Sequence, residues 1–165
     1  MPGAFQVAQG DTVILASHRF QLASRVANMM VKIVCIWLLF VVAAMMNGTL
    51  REELLVAALG DDYALPLSGL LLSLLIFLIT YLTIPWLRSA LLKPSASKSY
   101  VMVGFVWLVL TLMFEFTFGL LVAEKTFVEI VQVLNVLEGN LFSIVLLVTT
   151  VSPLMAARLK GYIQF

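Results

Sequence analysis

Glu115 is chemically out of place in this sequence. It stands in LVLTLMFEFTFGLLV, Leu108 to Val122, a run of leucines, valines and phenylalanines with no second charge. A charged side chain at a bilayer centre costs about 2.5–3.5 kcal/mol on insertion scales, and less near the boundary. Such a carboxyl either takes up a proton or gathers a cation or several hydrogen-bond donors. Arg51 is the candidate cation. Asn47, Thr111 (one helical turn before Glu115) and Asn140 are candidate hydrogen-bonding partners. Two chemistries fit these residues. An outward-facing pocket lined by Glu115 and Arg51 would bind a cation, a proton or a small polar ligand. A buried Glu115–Arg51 pair would instead set how two helices dock. The residue types leave both open.

Other chemistries are excluded more firmly. His18 and Cys35 are single, so one chain offers no bis-histidine haem, no internal disulfide and no thiolate cluster; no metal or cofactor is expected. Cys35 lies in an apolar run, where cysteine acts as a small hydrophobe. There is no P-loop, GxSxG, HExxH or CxxC, so no enzymatic activity is expected. A net charge of +1 with scattered basic residues gives no phosphate-binding patch for nucleic acid.

The elements that must position Glu115 follow from hydropathy. Of 165 residues, 62% are hydrophobic and 12% charged, and the apolar residues fall in runs too long for a soluble core. Four segments reach the ~20 residues needed to cross a hydrocarbon core: Met29–Met46, Leu65–Leu87, Tyr100–Val122, and a fourth centred on Leu141–Ala157 and starting near residue 137. Unbroken apolar runs lack the alternation of barrel strands, so they are helices. Arg19, Arg25, Lys32, Arg88, Lys93, Lys98, Arg158 and Lys160 fall on one side of this topology; only Arg51 and Lys125 fall on the other, with most of the acids. By the positive-inside rule both termini are cytoplasmic. At the helical rise, Glu115 lies roughly 10 Å below the outer end of its segment.

The connections carry further expectations. Residues 1–28 have no spanning segment. They read either as a poorly ordered tail lying on the membrane, with Phe20, Leu22 and Val26 facing lipid, or as an upstream extension of a chain that starts near Met29. After Asn47-Gly48, TLREELLVAALG places Thr49 and Glu52 at capping-box spacing and ends on Gly60. This predicts a short interfacial helix after a break, or else continuation of the first helix to Leu59. Pro66 suits the first turn of the second helix, and Ser97 or Ser99 can cap the third. Trp86 and Tyr100 suit an interfacial aromatic belt. Phe114, Phe116 and Phe118 either wall a pocket or, the plainer reading, face lipid. Gly104 and Gly119 permit close helix contact. Phe127–Asn140 reads as an interfacial helix or an early turn of the fourth. Thr149, Thr150 and Ser152 bond back to carbonyls around Pro153.

NGTLREELL (47–55), LSGLLLS (67–73), FEFTFG (114–119) and EGNLFSIVLLVTTVSPLMAARL (138–159) together resemble a family of small, uncharacterised bacterial membrane proteins. The likeness covers the chain from about Met29. It implies a four-helix fold in the bacterial inner membrane and supplies no activity. It places a polar pattern on Asn47, Arg51, Glu52, Glu115 and Asn140. Members tend to begin near Met30, and they often carry Arg where this chain has Asn140, so a second cation near Glu115 is missing here. The expectation is an all-α membrane protein with four transmembrane helices at about 29–46, 65–87, 100–122 and 137–157, both ends inside. Its polar cluster is structural or binds a small ligand or ion. The lipid bilayer is its first partner. A small oligomeric transporter or channel, or an accessory subunit of a larger membrane complex, are the alternatives.

Overall fold

The computed structural model describes residues 3–121, 126 and 141–163, with side chains from residue 17 onward. Among them there is no strand. The helices are α1 (Gly3–Leu50), α2 (Val56–Leu59), α3 (Asp61–Arg88), α4 (Ser97–Leu121) and α5 (Phe142–Leu159). Four stretches are long and apolar enough to cross a membrane: Ser17–Leu59, Asp61–Arg88, Ser97–Leu121 and Phe142–Leu159. They fall where hydropathy places them. The segment 127–140, including Asn140, lies outside the described residues.

α1 departs most from expectation. It has 48 residues, so it is about 72 Å long, more than twice a hydrocarbon core. The N-terminal tail is helix from Gly3 onward, continuous with the first span. No glycine stands between Gly10 and Gly48, and no proline between Pro2 and Pro66, so nothing local stops propagation. The expected break at Asn47-Gly48 is likewise absent. α1 runs on through a π-helical turn, Arg51–Leu55, into α2 and ends at Leu59, so the short helix is continuous with the first span. Asn47 does not compete with its own backbone, because its side-chain amide is committed to α3. Thr49 donates back to the Met45 carbonyl (3.2 Å) and Glu52 bonds Arg51, so no capping box forms. The true stop is Gly60, at φ 78° and ψ 166°, a conformation essentially confined to glycine. α3 starts immediately, with Asp61 and Asp62 suited to its positive N-terminal dipole. Pro66 therefore lies beyond the first turn.

α1 and α3 run antiparallel and are tied at both ends. At one end Lys32 Nζ donates to Ser89 Oγ (2.7 Å) and to the Trp86 carbonyl (3.1 Å). At the other, Asn47 Nδ2 donates to Ser68. α5 packs closely along α3 and α4, whereas α1 and α4 stand farther apart. Gly104 explains the close α4–α5 approach: a Cβ there would lie 1.9 Å from the Thr150 carbonyl oxygen. Aromatic side chains span the wider α1–α4 gap. Trp107 Nε1 donates to the Ile33 carbonyl (2.9 Å), Trp37 Nε1 donates to Thr111 Oγ1 (3.1 Å), and Phe40 meets Trp107 edge to face.

Polar groups in the packed half are satisfied locally. Pro153 deprives the Thr149 carbonyl of its helical N–H, and Ser152 Oγ donates to that oxygen at 3.3 Å. Thr80 and Ser152 share a hydroxyl contact (3.2 Å) between α3 and α5. Tyr100, expected in the interfacial belt, is fully buried, with its hydroxyl donating to the Pro94 carbonyl. Ser99 donates to the Lys93 carbonyl instead of capping a helix N–H. Trp86 is 47% exposed, as a belt residue would be.

Candidate functional site

The end of the bundle remote from Lys32 is hollow. A cavity of about 280 Å³ opens between α1, α3, α4 and α5, and its walls include Asn47, Arg51, Ser68, Gly69, Glu115 and Phe142. A smaller one, about 60 Å³, lies beside it against Trp37, Phe40, Thr111, Phe114 and Thr149. Glu115 lines both, as do Ala44, Leu72 and Val145.

Asn47 is the most constrained polar group in the larger cavity. It is only 6% exposed. Its Nδ2 donates to the Ser68 carbonyl (3.2 Å) and to Ser68 Oγ (2.7 Å). The carbonyl can only accept, so the amide orientation is fixed without ambiguity. That leaves Oδ1 buried and without a hydrogen-bond partner. Burying an acceptor unpaired costs about 1–3 kcal/mol, so such atoms call for an explanation.

Arg51 sits at the rim, where α1 gives way to the π turn, an irregularity common at functional sites. Its side chain is 34% exposed. Its Nε (3.1 Å) and NH2 (2.6 Å) both donate to Glu52 Oε1. The expected Arg51–Glu115 ion pair is therefore not formed, although both residues line one cavity. The physical reason is proximity: the carboxylate next in sequence reaches the guanidinium without ordering a side chain across the bundle. Arg51 and Glu52 also line a shallower hollow with Asp61 at the same end.

The structure thus brings Glu115, Asn47 and Arg51 to one cavity, places Glu52 at its rim, and sets Thr111 in the smaller cavity with its hydroxyl accepting from Trp37. Of the aromatic residues around the acid, Phe114 walls the smaller cavity and packs edge-on against Trp37, 5.9 Å between centroids. Phe118 stacks on Phe114 and is largely exposed. Ser68 and Gly69, from the LSGLLLS stretch, join the site beside the expected residues. Their signal is a small polar pair near the start of the leucine-rich α3, where Asn47 of α1 meets it. A Cβ on Gly69 would come within 2.8 Å of Leu141 Cβ, so the glycine lets α5 begin close to α3.

No family model, curated protein or solved structure matches the chain. The site's chemistry therefore rests on its own geometry. Asn47 Oδ1 is an acceptor without a partner, Glu115 lines the same cavity, and the Arg51–Glu52 pair cancels its own charge. The arrangement suits a hydrogen-bond donor or a small cation.

Proposed function

We propose that this chain is a multi-pass protein of the bacterial inner membrane, with both termini cytoplasmic. It binds a small cation or hydrogen-bond donor in the cavity that Asn47 and Glu115 line, without catalysing a reaction. The observation that carries the binding is the cavity itself, roomy enough for several atoms and lined by Glu115 and by Asn47, whose Oδ1 is buried without a partner. The four apolar helices support the membrane assignment. The distribution of Lys and Arg supports the orientation. The bacterial inner-membrane location is carried over from the resemblance of the 47–55 and 114–119 motifs and stands as part of the proposal.

Binding is favoured over conduction by a single chain. Beyond Thr149 the interior is filled by Ile36, Trp107, Ile33 and Tyr100, all almost wholly buried. Among the described residues this packing supports a site at one end of the bundle, and the transporter reading is the one that calls for an oligomer.

The test uses the full chain in mild detergent, unfolded thermally with sodium, potassium or methylammonium chloride. A ligand at a hundred times its Kd stabilises by about 2.7 kcal/mol. One of these cations is expected to raise the melting temperature of the wild type, and to lose that effect in both Asn47→Leu and Glu115→Gln. Equal responses in all three proteins would overturn the proposal.

A further inference from the structure

The opposite end of the bundle holds a different site, independent of the Asn47 cavity. No Asp or Glu occurs between residues 12 and 51, between 63 and 114, or after 138. The cations gathered at this end therefore have almost no acidic neighbours in sequence, and neither Arg25 nor Arg88 pairs with a carboxylate among the described residues. Those two arginines line one hollow of about 390 Å³, the Arg88 guanidinium lying 4.2 Å over the Tyr162 ring, with Ser89 beside them and Pro85, Leu91 and Leu92 as apolar walls. Lys32 reaches the same place by donating to Ser89 Oγ, and its ammonium lies 5.0 Å from the centroid of the Trp86 ring. Trp86 is the exposed ring that marks the membrane interface here.

Leu91 and Leu92 also wall a second hollow, about 160 Å³, between α1 and α4. Its other walls are almost wholly apolar, among them Met30, Ile33, Met102 and Val106. It occupies the gap where α1 and α4 stand apart. Along α1, Arg25, Met29 and Ile33 are four residues apart, so they lie on one stripe running from the charged rim into the apolar span. Charge at the rim and an apolar groove beneath it, sharing two leucines, match an amphiphile with an anionic head.

We propose that this end binds one anionic phospholipid, its phosphate between Arg25 and Arg88 and one acyl chain along the α1–α4 groove. Two guanidiniums with no carboxylate partner suit a phosphodiester, which they grip by charge-assisted hydrogen bonds. The apolar groove supplies the reason for a lipid over a free anion.

The experiment titrates the detergent-purified full chain with phosphatidylglycerol, phosphatidylcholine or inorganic phosphate, and counts bound lipid by native mass spectrometry. One phosphatidylglycerol per chain is expected, retained over phosphatidylcholine, with inorganic phosphate a poor competitor. Arg25→Gln and Arg88→Gln should each weaken it about fivefold. Lys98→Gln, a cation of the same end that lines neither hollow, should not. Val106→Trp should displace the lipid by filling the groove. Equal retention of phosphatidylcholine would overturn the proposal by reducing the site to a greasy groove, and full competition by phosphate would reduce it to an anion site. Equal weakening by Lys98→Gln would replace it with diffuse attraction. Both arginines are exposed, so their substitution leaves the core intact; the wild-type selectivity is a test that needs no variant.

Discussion

The two halves of the bundle are built from similar residues and reach opposite outcomes. In the half nearer Lys32, the side chains of Ile33, Trp107 and Tyr100 are almost wholly buried even though hollows open between α1 and α4 and beside Arg25. Polar groups there find partners: Trp107 on Ile33, Tyr100 on Pro94, Ser152 on Thr149. In the half around Asn47, comparable polar residues frame a cavity and leave one amide oxygen unpaired. The difference lies in helix separation. Gly104 lets α4 and α5 close against each other, whereas at the open end α1 passes into a π turn after Leu50, beside the cavity. Apolar composition alone does not produce a packed membrane core. Small residues and local hydrogen bonds decide where it closes.

The largest expected effect tests that closure. Gly104→Ala forces backbone to move, because its Cβ would sit 1.9 Å from the Thr150 oxygen. It should cost about 3 kcal/mol or more, read as lost melting temperature in detergent. Gly69→Ala meets Leu141 Cβ at 2.8 Å and its Cα only at 3.6 Å, so a smaller shift relieves it, and it should cost about 1–2 kcal/mol. A Gly69→Ala penalty as large as that of Gly104→Ala would mean that the hollow end is packed as rigidly as the closed one.

Trp107→Phe comes next, at about 1–3 kcal/mol. It strands no buried donor, but it gives up the bond to Ile33 and leaves a void against Phe40. Asn47→Leu should behave differently: it removes an unsatisfied acceptor, so stability should stay within about 1 kcal/mol of the wild type or rise. A loss of several kcal/mol in Asn47→Leu would make the Asn47–Ser68 bond a structural clamp and erase the contrast between the halves. The smallest effect belongs to Arg51→Gln, since an exposed pair with Glu52 contributes about 0–1 kcal/mol. A greater loss, matched by Glu115→Gln, would show that Arg51 reaches the acid after all.

Much of the fold was legible because hydrocarbon is an unforgiving solvent. Twenty apolar residues in a row have one stable backbone solution, so the spans at Met29, Leu65, Tyr100 and Leu141 could be read directly. The hydroxyls before Pro153 were legible for the same reason: a carbonyl freed by proline must find a donor nearby. Helix ends were not. Asn47-Gly48 carries breaker residues, yet the helix continues, because Asn47 spends its amide on α3, a partner invisible in local sequence. Tyr100 looked interfacial by type and position, and a carbonyl six residues upstream drew it into the core.

The sequence by itself determined that this chain is helical, that four stretches are apolar enough to span a membrane, and that Glu115 needs an answer to its burial. These follow from transfer free energies, which are properties of residues. Only the tertiary structure decided which residues share the cavity with Glu115, that Arg51 turns to Glu52, and that Asn47 keeps an unpaired oxygen. Those depend on how far apart two helices stand, and separation is set by contacts between residues distant in the chain.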